Sequence, residues 1–191
     1  MSKTKTIDLT SGPILKTLAE LALPIMASSL LGTAYNITDM AWIGMLGSKA
    51  VAGVGVGGMY VWLSQGLVAL PRMGGQVNVA QACGRGDYEQ ARGYAASALR
   101  LTFLLGILFA AVCIVFIHPL LGFFNLGDAE TYTAAKLYTL ITCGLILFSF
   151  LNLTLTGLST AQGDSKTPLM ANLLGLVGNM ILDPILILGF G

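Results

Sequence analysis

Charge is what this chain has least of. Only 10% of its 191 residues are Asp, Glu, Lys or Arg, where a soluble domain carries about 25%. That is too little charge to clothe a water-facing surface. With 55% hydrophobic residues and a mean hydropathy of +0.79, the chain suits a bilayer better than water. The formal net charge is +1, so the basic excess of a nucleic-acid partner is missing. Cysteine is scarce too. Cys83, Cys113 and Cys143 form no CxxC pair and lie in or near apolar runs, which excludes a zinc or disulfide framework and leaves small packing residues. The single histidine, His118, precedes Pro119 at the end of a run and needs no special role. Lys3 and Lys5 precede the first apolar run as in a signal peptide, but that run is too long for one and further runs follow. It reads as a retained membrane helix.

The apolar runs fall at about 18–45, 51–82, 94–118, 131–158 and 168–189. A spanning helix needs about 20 apolar residues, so five spans are expected, all α-helical, preceded by a cytoplasmic segment 1–17. The breaks carry turn and cap chemistry: "LGSKA", "CGRGDYEQAR", "NLGDAET" and "QGDSKTP", the last placing Pro168 in the first turn of the fifth helix. Lys3, Lys5, Lys16, Arg85, Arg92, Arg100 and Lys166 gather at one set of span ends, against Lys49 and Lys136 at the other. The excess of cytoplasmic Lys and Arg in membrane proteins then puts the N-terminus inside. Spans one, three and five run outward.

Of ten basic and nine acidic side chains, only Asp39, Arg72 and Asp183 sit well inside a span. A carboxylate is costly there unless paired, coordinated or protonated. Asp39 and Asp183 each lie about six residues, or ~9 Å, before the outer end of an outward-running helix, so the two share one level. Tyr35 and Asn36 stand at i−4 and i−3 from Asp39, and Asn179 at i−4 from Asp183, on the same faces as their aspartates. Tyr138, in the inward-running fourth span, falls near this depth. Together these residues make an oxygen-rich cluster suited to Na⁺ or a proton. The bland alternative is helix–helix glue through hydrogen bonds, for which aspartate is an expensive choice.

Arg72, in "LPRMGGQ", lies in the inner half of span two, away from that cluster. It can snorkel, cap carbonyls freed by Pro71 or line the inner mouth of a cavity. Pro24 and Pro184 each remove a backbone N–H inside a span, marking bending points of the kind transporters use. "GVGVGG" matches GxGxxG through Gly53, Gly55 and Gly58, but within an apolar span close helix packing explains it better than a dinucleotide site. The sequons at Asn36 and Asn152 also lie inside spans, out of reach of glycosylation.

Several stretches resemble the multidrug and toxic-compound extrusion (MATE) family. "LALPIMASSLLGTAYNITDMAWIGMLG" followed by "AVAGVGVGG" looks like its first helix and the start of the second. "AQACGRGDYEQAR" resembles the loop between helices two and three. "GLSTAQGDSKTPLMANLLGLVGNMILDPILILGFG" is similar to the fourth loop and fifth helix, and "LPRMG" to the DinF-like branch. The resemblance covers nearly the whole chain. It implies a plasma-membrane antiporter exporting drugs or organic cations in exchange for Na⁺ or H⁺, with no other cofactor. Asp39, Asn179, Asp183 and Tyr138 match the cation or proton site, and Tyr35, Asn36, Asn152, Thr156 and Asn172 become candidates for the substrate cleft.

Family members have twelve helices in two six-helix lobes. The expectation is therefore that this chain is an N-terminal portion whose partners are lipid, a small amphipathic substrate, a sixth helix and a second lobe. Two other readings compete. A lipid-linked-oligosaccharide flippase of the same superfamily would use basic cavity residues, and here only Arg72 qualifies. An intramembrane aspartyl protease would carry GxGD, where this chain has "NITD" and "MILD".

Overall fold

The computed structural model describes residues 14–188, and their regular secondary structure is entirely helical. Lys3, Lys5 and the rest of the segment before residue 14 lie outside the described residues, as do the side chains of Lys16 and Pro184. Seven helices are present among the described residues: α1 (Ile14–Met45), α2 (Ser48–Gly84), α3 (Tyr88–Val115), α4 (Ile117–Gly122), α5 (Ala129–Gly144), α6 (Ile146–Ala161) and α7 (Lys166–Leu188). By length and composition α2, α3 and the Thr17–Met45 part of α1 are each able to cross a membrane. The bent pair α5–α6 makes a fourth if it is one span.

Two expected spans are interrupted. The run 94–118 is not one helix to its end: α3 starts earlier, at Tyr88, and stops at Val115, and α4 follows after Phe116. Pro119 has no N–H to return to the Val115 carbonyl, so the hydrogen-bond ladder fails there. The run 131–158 is broken at Leu145 into α5 and α6, which meet at a 45° bend. Gly144 stands at that bend, a residue type at which helices kink readily.

The loop aspartates act as caps, as their positions before apolar runs suggest. Asp87 Oδ1 accepts from the Gln90 N–H at 2.9 Å, and Asp128 Oδ2 from the Thr131 N–H at 3.3 Å. Asp164 Oδ1 accepts from the Lys166 and Thr167 N–H groups at 3.2 and 3.0 Å. Burial pushes the Asp164 carboxyl up, but the hydrogen bonds from Thr167 and Lys166 outweigh it and hold the group below its ordinary value. Lys49 at the start of α2 reaches Asp128 (3.2 Å) and Glu130 (2.6 Å) at the start of α5. Its hydrogen bond, with that of Thr131, keeps the Asp128 carboxyl below the usual range.

The packing has two parts. Helix α2 makes its most extensive contacts with α5, α3 and α6, and α3 also packs on α6. Val68, Phe109, Cys113, Cys143, Ile146 and Phe150 form one buried cluster across these helices, and the Thr102 and Thr154 hydroxyls meet at 2.9 Å between α3 and α6. Cys113 and Cys143 are free thiols inside that cluster, in keeping with the packing role read from their setting. Two glycines of "GVGVGG" set the α2–α5 distance. A Cβ on Gly57 would collide with the Tyr138 ring and the Thr139 hydroxyl, and one on Gly53 would sit 3.0 Å from Ala134 Cβ. Gly55 and Gly58 face open space, so the i, i+4 pair 53/57 is the packing motif, rather than the three glycines of GxGxxG.

Helices α1 and α7 pack mainly on each other and touch the rest lightly, through α2 and α6. Among the described residues Ile43 is the only buried position of α1, and Pro168 the only one of α7.

Candidate functional site

The site lies where the α1–α7 layer meets the four-helix core. Its residues repeat on two helices with the same spacing. Ser28, Gly32, Tyr35 and Asp39 follow one another at steps of 4, 3 and 4 along α1, and Asn172, Leu176, Asn179 and Asp183 do the same along α7. Such steps keep side chains on one helical face. Because α1 and α7 pack together, the two stripes face one another.

A cleft of about 360 Å³ opens between them, lined by Ser28, Gly32, Tyr35, Asn152, Asn172 and Asn179 among others. At its acidic end Asp39 is within electrostatic range of Asp183. Tyr35 interacts with both carboxylates, with Asn179 and with Tyr138, and Tyr138 also feels Asp39. Five of the six residues expected in the cluster, Tyr35, Asp39, Tyr138, Asn179 and Asp183, thus share one neighbourhood. Tyr138 arrives there from α5 because Gly57 leaves room for its ring on α2.

A second cleft of about 310 Å³ continues from the first, sharing Ser28, Asn152 and Asn172 with it. Arg72, Gln76, Thr156 and Ser165 line this end. Arg72 lines the cavity, one of the three positions open to it from sequence. Its Nε is buried and, among the described residues, has no hydrogen-bond partner. The two clefts together have the size of small-molecule sites, roughly 300–1,000 Å³.

Of the expected cleft residues, Tyr35, Asn152, Thr156 and Asn172 line the clefts, and Asn36 lines neither. It is exposed on another side of α1. Its i−3 relation to Asp39 is compatible with contact but falls on the far edge of the stripe that Ser28, Gly32 and Tyr35 define. Pro24 lies within α1, one residue before the cleft-lining Ile25. Sequence reasoning missed Ser28, Gln76 and Ser165. The signal for two of them was present: Ser28 is i−7 from Tyr35, and Gln76 is i+4 from Arg72. Among the described residues no group of three or more His, Cys, Asp or Glu side chains is placed to hold a metal ion. Asp39 and Asp183 supply only two carboxylates, which with the Tyr35, Tyr138 and Asn179 oxygens suit a monovalent cation or a proton better than a tightly held divalent one.

The MatE family model matches residues 24–185. A probable multidrug resistance protein NorM from Thermotoga maritima is 29% identical over 92% of this chain and 38% of its own length. An FAD transporter from Shewanella oneidensis is 27% identical over 96% of this chain and 40% of its own. Among solved structures, a MOP superfamily transporter from Pyrococcus furiosus superposes over the whole chain and 42% of its own, with a TM-score of 0.85 and 28% identity. The chain therefore spans about two fifths of the length of these relatives.

Proposed function

The chain belongs to the MatE family, whose members are multi-pass membrane transporters and not enzymes, and from that premise we propose that its protein exports drugs or other amphipathic organic compounds in exchange for Na⁺ or protons. Asp39 and Asp183 are the coupling carboxylates in this reading, and the continuous cleft beside them takes the cargo. One observation carries it: the Tyr35–Asp39 and Asn179–Asp183 faces of α1 and α7 meet beside a cleft at the seam between that helix pair and the packed core. Inside a bilayer the repulsion between the two carboxylates is poorly screened. A cation or proton arriving from outside relieves it, aided by Tyr35, Tyr138 and Asn179 oxygens, and lets α1 and α7 draw together. With the N-terminus cytoplasmic, Asp39 and Asp183 lie in the outer half and Arg72 in the inner half. Bending of α1 at Pro24, where the Glu20 carbonyl has no N–H partner, would then narrow the cleft and drive the cargo outward. Few buried contacts would have to break, because α1 has so few.

The test is dye efflux from proteoliposomes holding the transporter that carries this chain, under an imposed Na⁺ or pH gradient. Asp39→Asn and Asp183→Asn each abolish gradient-driven efflux while membrane insertion and thermal stability stay normal. Wild-type efflux in both variants would sink the proposal. Running the wild type in Na⁺-free buffer across pH separates the two coupling ions.

A further inference from the structure

The inner end of the cleft is built for something the acidic end repels. Arg72 is half-buried there, and its Nε–H, cut off from solvent, has no partner among the described residues. A guanidinium carries five donors and no acceptor, so leaving one buried and unused is costly. The same cleft holds a second orphan. Ser165 is 3% exposed and its hydroxyl likewise has no partner there. Gln76 lies one turn from Arg72 on the same wall, and Asn152, Thr156 and Asn172 add further polar atoms. Among the described residues no carboxylate lines this cleft. The nearest capping acid by sequence, Asp164, spends Oδ1 on the α7 amides. Gly157 secures the arrangement, since a Cβ there would stand 3.1 Å from Arg72 Cγ and 3.4 Å from Gln76 Oε1. A half-buried guanidinium and a partnerless serine hydroxyl in the lining of one polar cleft that no carboxylate lines match an oxyanion, which guanidinium grips with charge-assisted, often bidentate hydrogen bonds.

We propose that Arg72, with Ser165 and Gln76, binds a carboxylate or phosphate group on the transported molecule. The cleft is then bipolar, and its cargo is an amphipathic zwitterion or anion, not a simple organic cation. A positive group would point toward Tyr35, Asp39 and Asp183, and the acid would reach Arg72. This rests on the reading of the cleft as the cargo site, and it narrows the class of cargo.

A matched dye pair tests it. Rhodamine 110 carries a free carboxylate and rhodamine 123 is its methyl ester, so the two differ only in the group at issue. Binding to the transporter is measured by fluorescence anisotropy in phosphatidylcholine nanodiscs at neutral pH. The free acid is expected to bind about tenfold more tightly than the ester, the size of effect one charge-assisted contact gives. Arg72→Gln should weaken the acid at least five times more than the ester, and Arg72→Lys should restore part of the preference. Equal or tighter binding of the ester by the wild type overturns the proposal, as does a preference that survives Arg72→Gln. If neither dye binds, the cleft is not the cargo site and both readings fall. If Asp39→Asn and Asp183→Asn leave gradient-driven efflux intact while the acid preference depends on Arg72, only the coupling assignment fails. An anionic lipid can supply the same chemistry. If adding phosphatidylglycerol erases the preference in wild-type nanodiscs, the oxyanion is a lipid headgroup and the cargo assignment is overturned.

Discussion

The four-helix core and the α1–α7 layer are made of similarly apolar sequence, yet they differ in how deeply they bury polar groups. In the core, Thr102 and Thr154 are completely buried and bond to one another across helices. In α1, Ser29, Thr33 and Thr38 return their hydroxyls to carbonyls four residues back on their own helix. The core encloses these two hydroxyls between its helices, and those of α1 stay exposed or half-buried. Of the buried side-chain atoms left without a partner among the described residues, Thr139 Oγ1 lies in the core, and Arg72 Nε and Ser165 Oγ belong to residues lining the cleft at the boundary. Little packing crosses this seam.

That contrast can be broken most sharply at its glycines. Gly57→Ala should destabilise the protein by about 1–3 kcal/mol, because the new methyl drives Tyr138 and Thr139 away from α2. Gly32→Ala, which meets nothing within 4 Å on α1, should stay within about 0.5 kcal/mol. Thermal unfolding in detergent compares them, and equal losses would erase the distinction between core and layer. The next effect is at the joint between the two parts. Asp164→Ala removes the acceptor of two α7 amides and should cost about 1 kcal/mol. Hydrogen exchange should show the first turn of α7 fraying while α2, α3, α5 and α6 keep their protection.

Smaller effects sharpen the picture from the core side. A double-mutant cycle of Thr102→Val and Thr154→Val should give a coupling of about 0.6 kcal/mol, typical of such bonds in membrane proteins. The matching Ser29→Ala and Thr33→Ala cycle on α1 should show none. The least change is expected at the Lys49–Asp128–Glu130 clasp, which is solvent-exposed. The Asp128 carboxyl is held low by Lys49, so its contribution is complete above the ordinary carboxylate value of about pH 4 and fades as pH falls below it. A spin-label pair across the starts of α2 and α5 should therefore keep its distance from pH 8 to pH 5 and lose definition only in stronger acid.

Much of this is legible in the chain itself. The scarcity of charge identifies the solvent, the apolar runs locate α1, α2 and α7, and the Asp residues before three helices announce their caps. Helix geometry converts residue counts into depth, so the sequence puts Asp39 and Asp183 at one level. The breaks in α3–α4 and α5–α6 are less visible. Pro119 does signal the first, but an apolar run reads the same whether straight or bent. The 45° turn at Leu145 follows Gly144, and a single glycine in an apolar run does not by itself announce a bend.

Sequence alone determined where the long apolar helices lie and which of their residues recur at helical spacing, since hydropathy and the 3.6-residue repeat are local properties. Only the tertiary structure decided which faces meet. It brought Tyr138 to the aspartates through the space at Gly57, moved Asn36 out of the cleft, and set Arg72 and Ser165 in the lining of one cleft from far apart in the chain. Those encounters depend on close packing between distant segments, and close packing is decided by the whole fold at once.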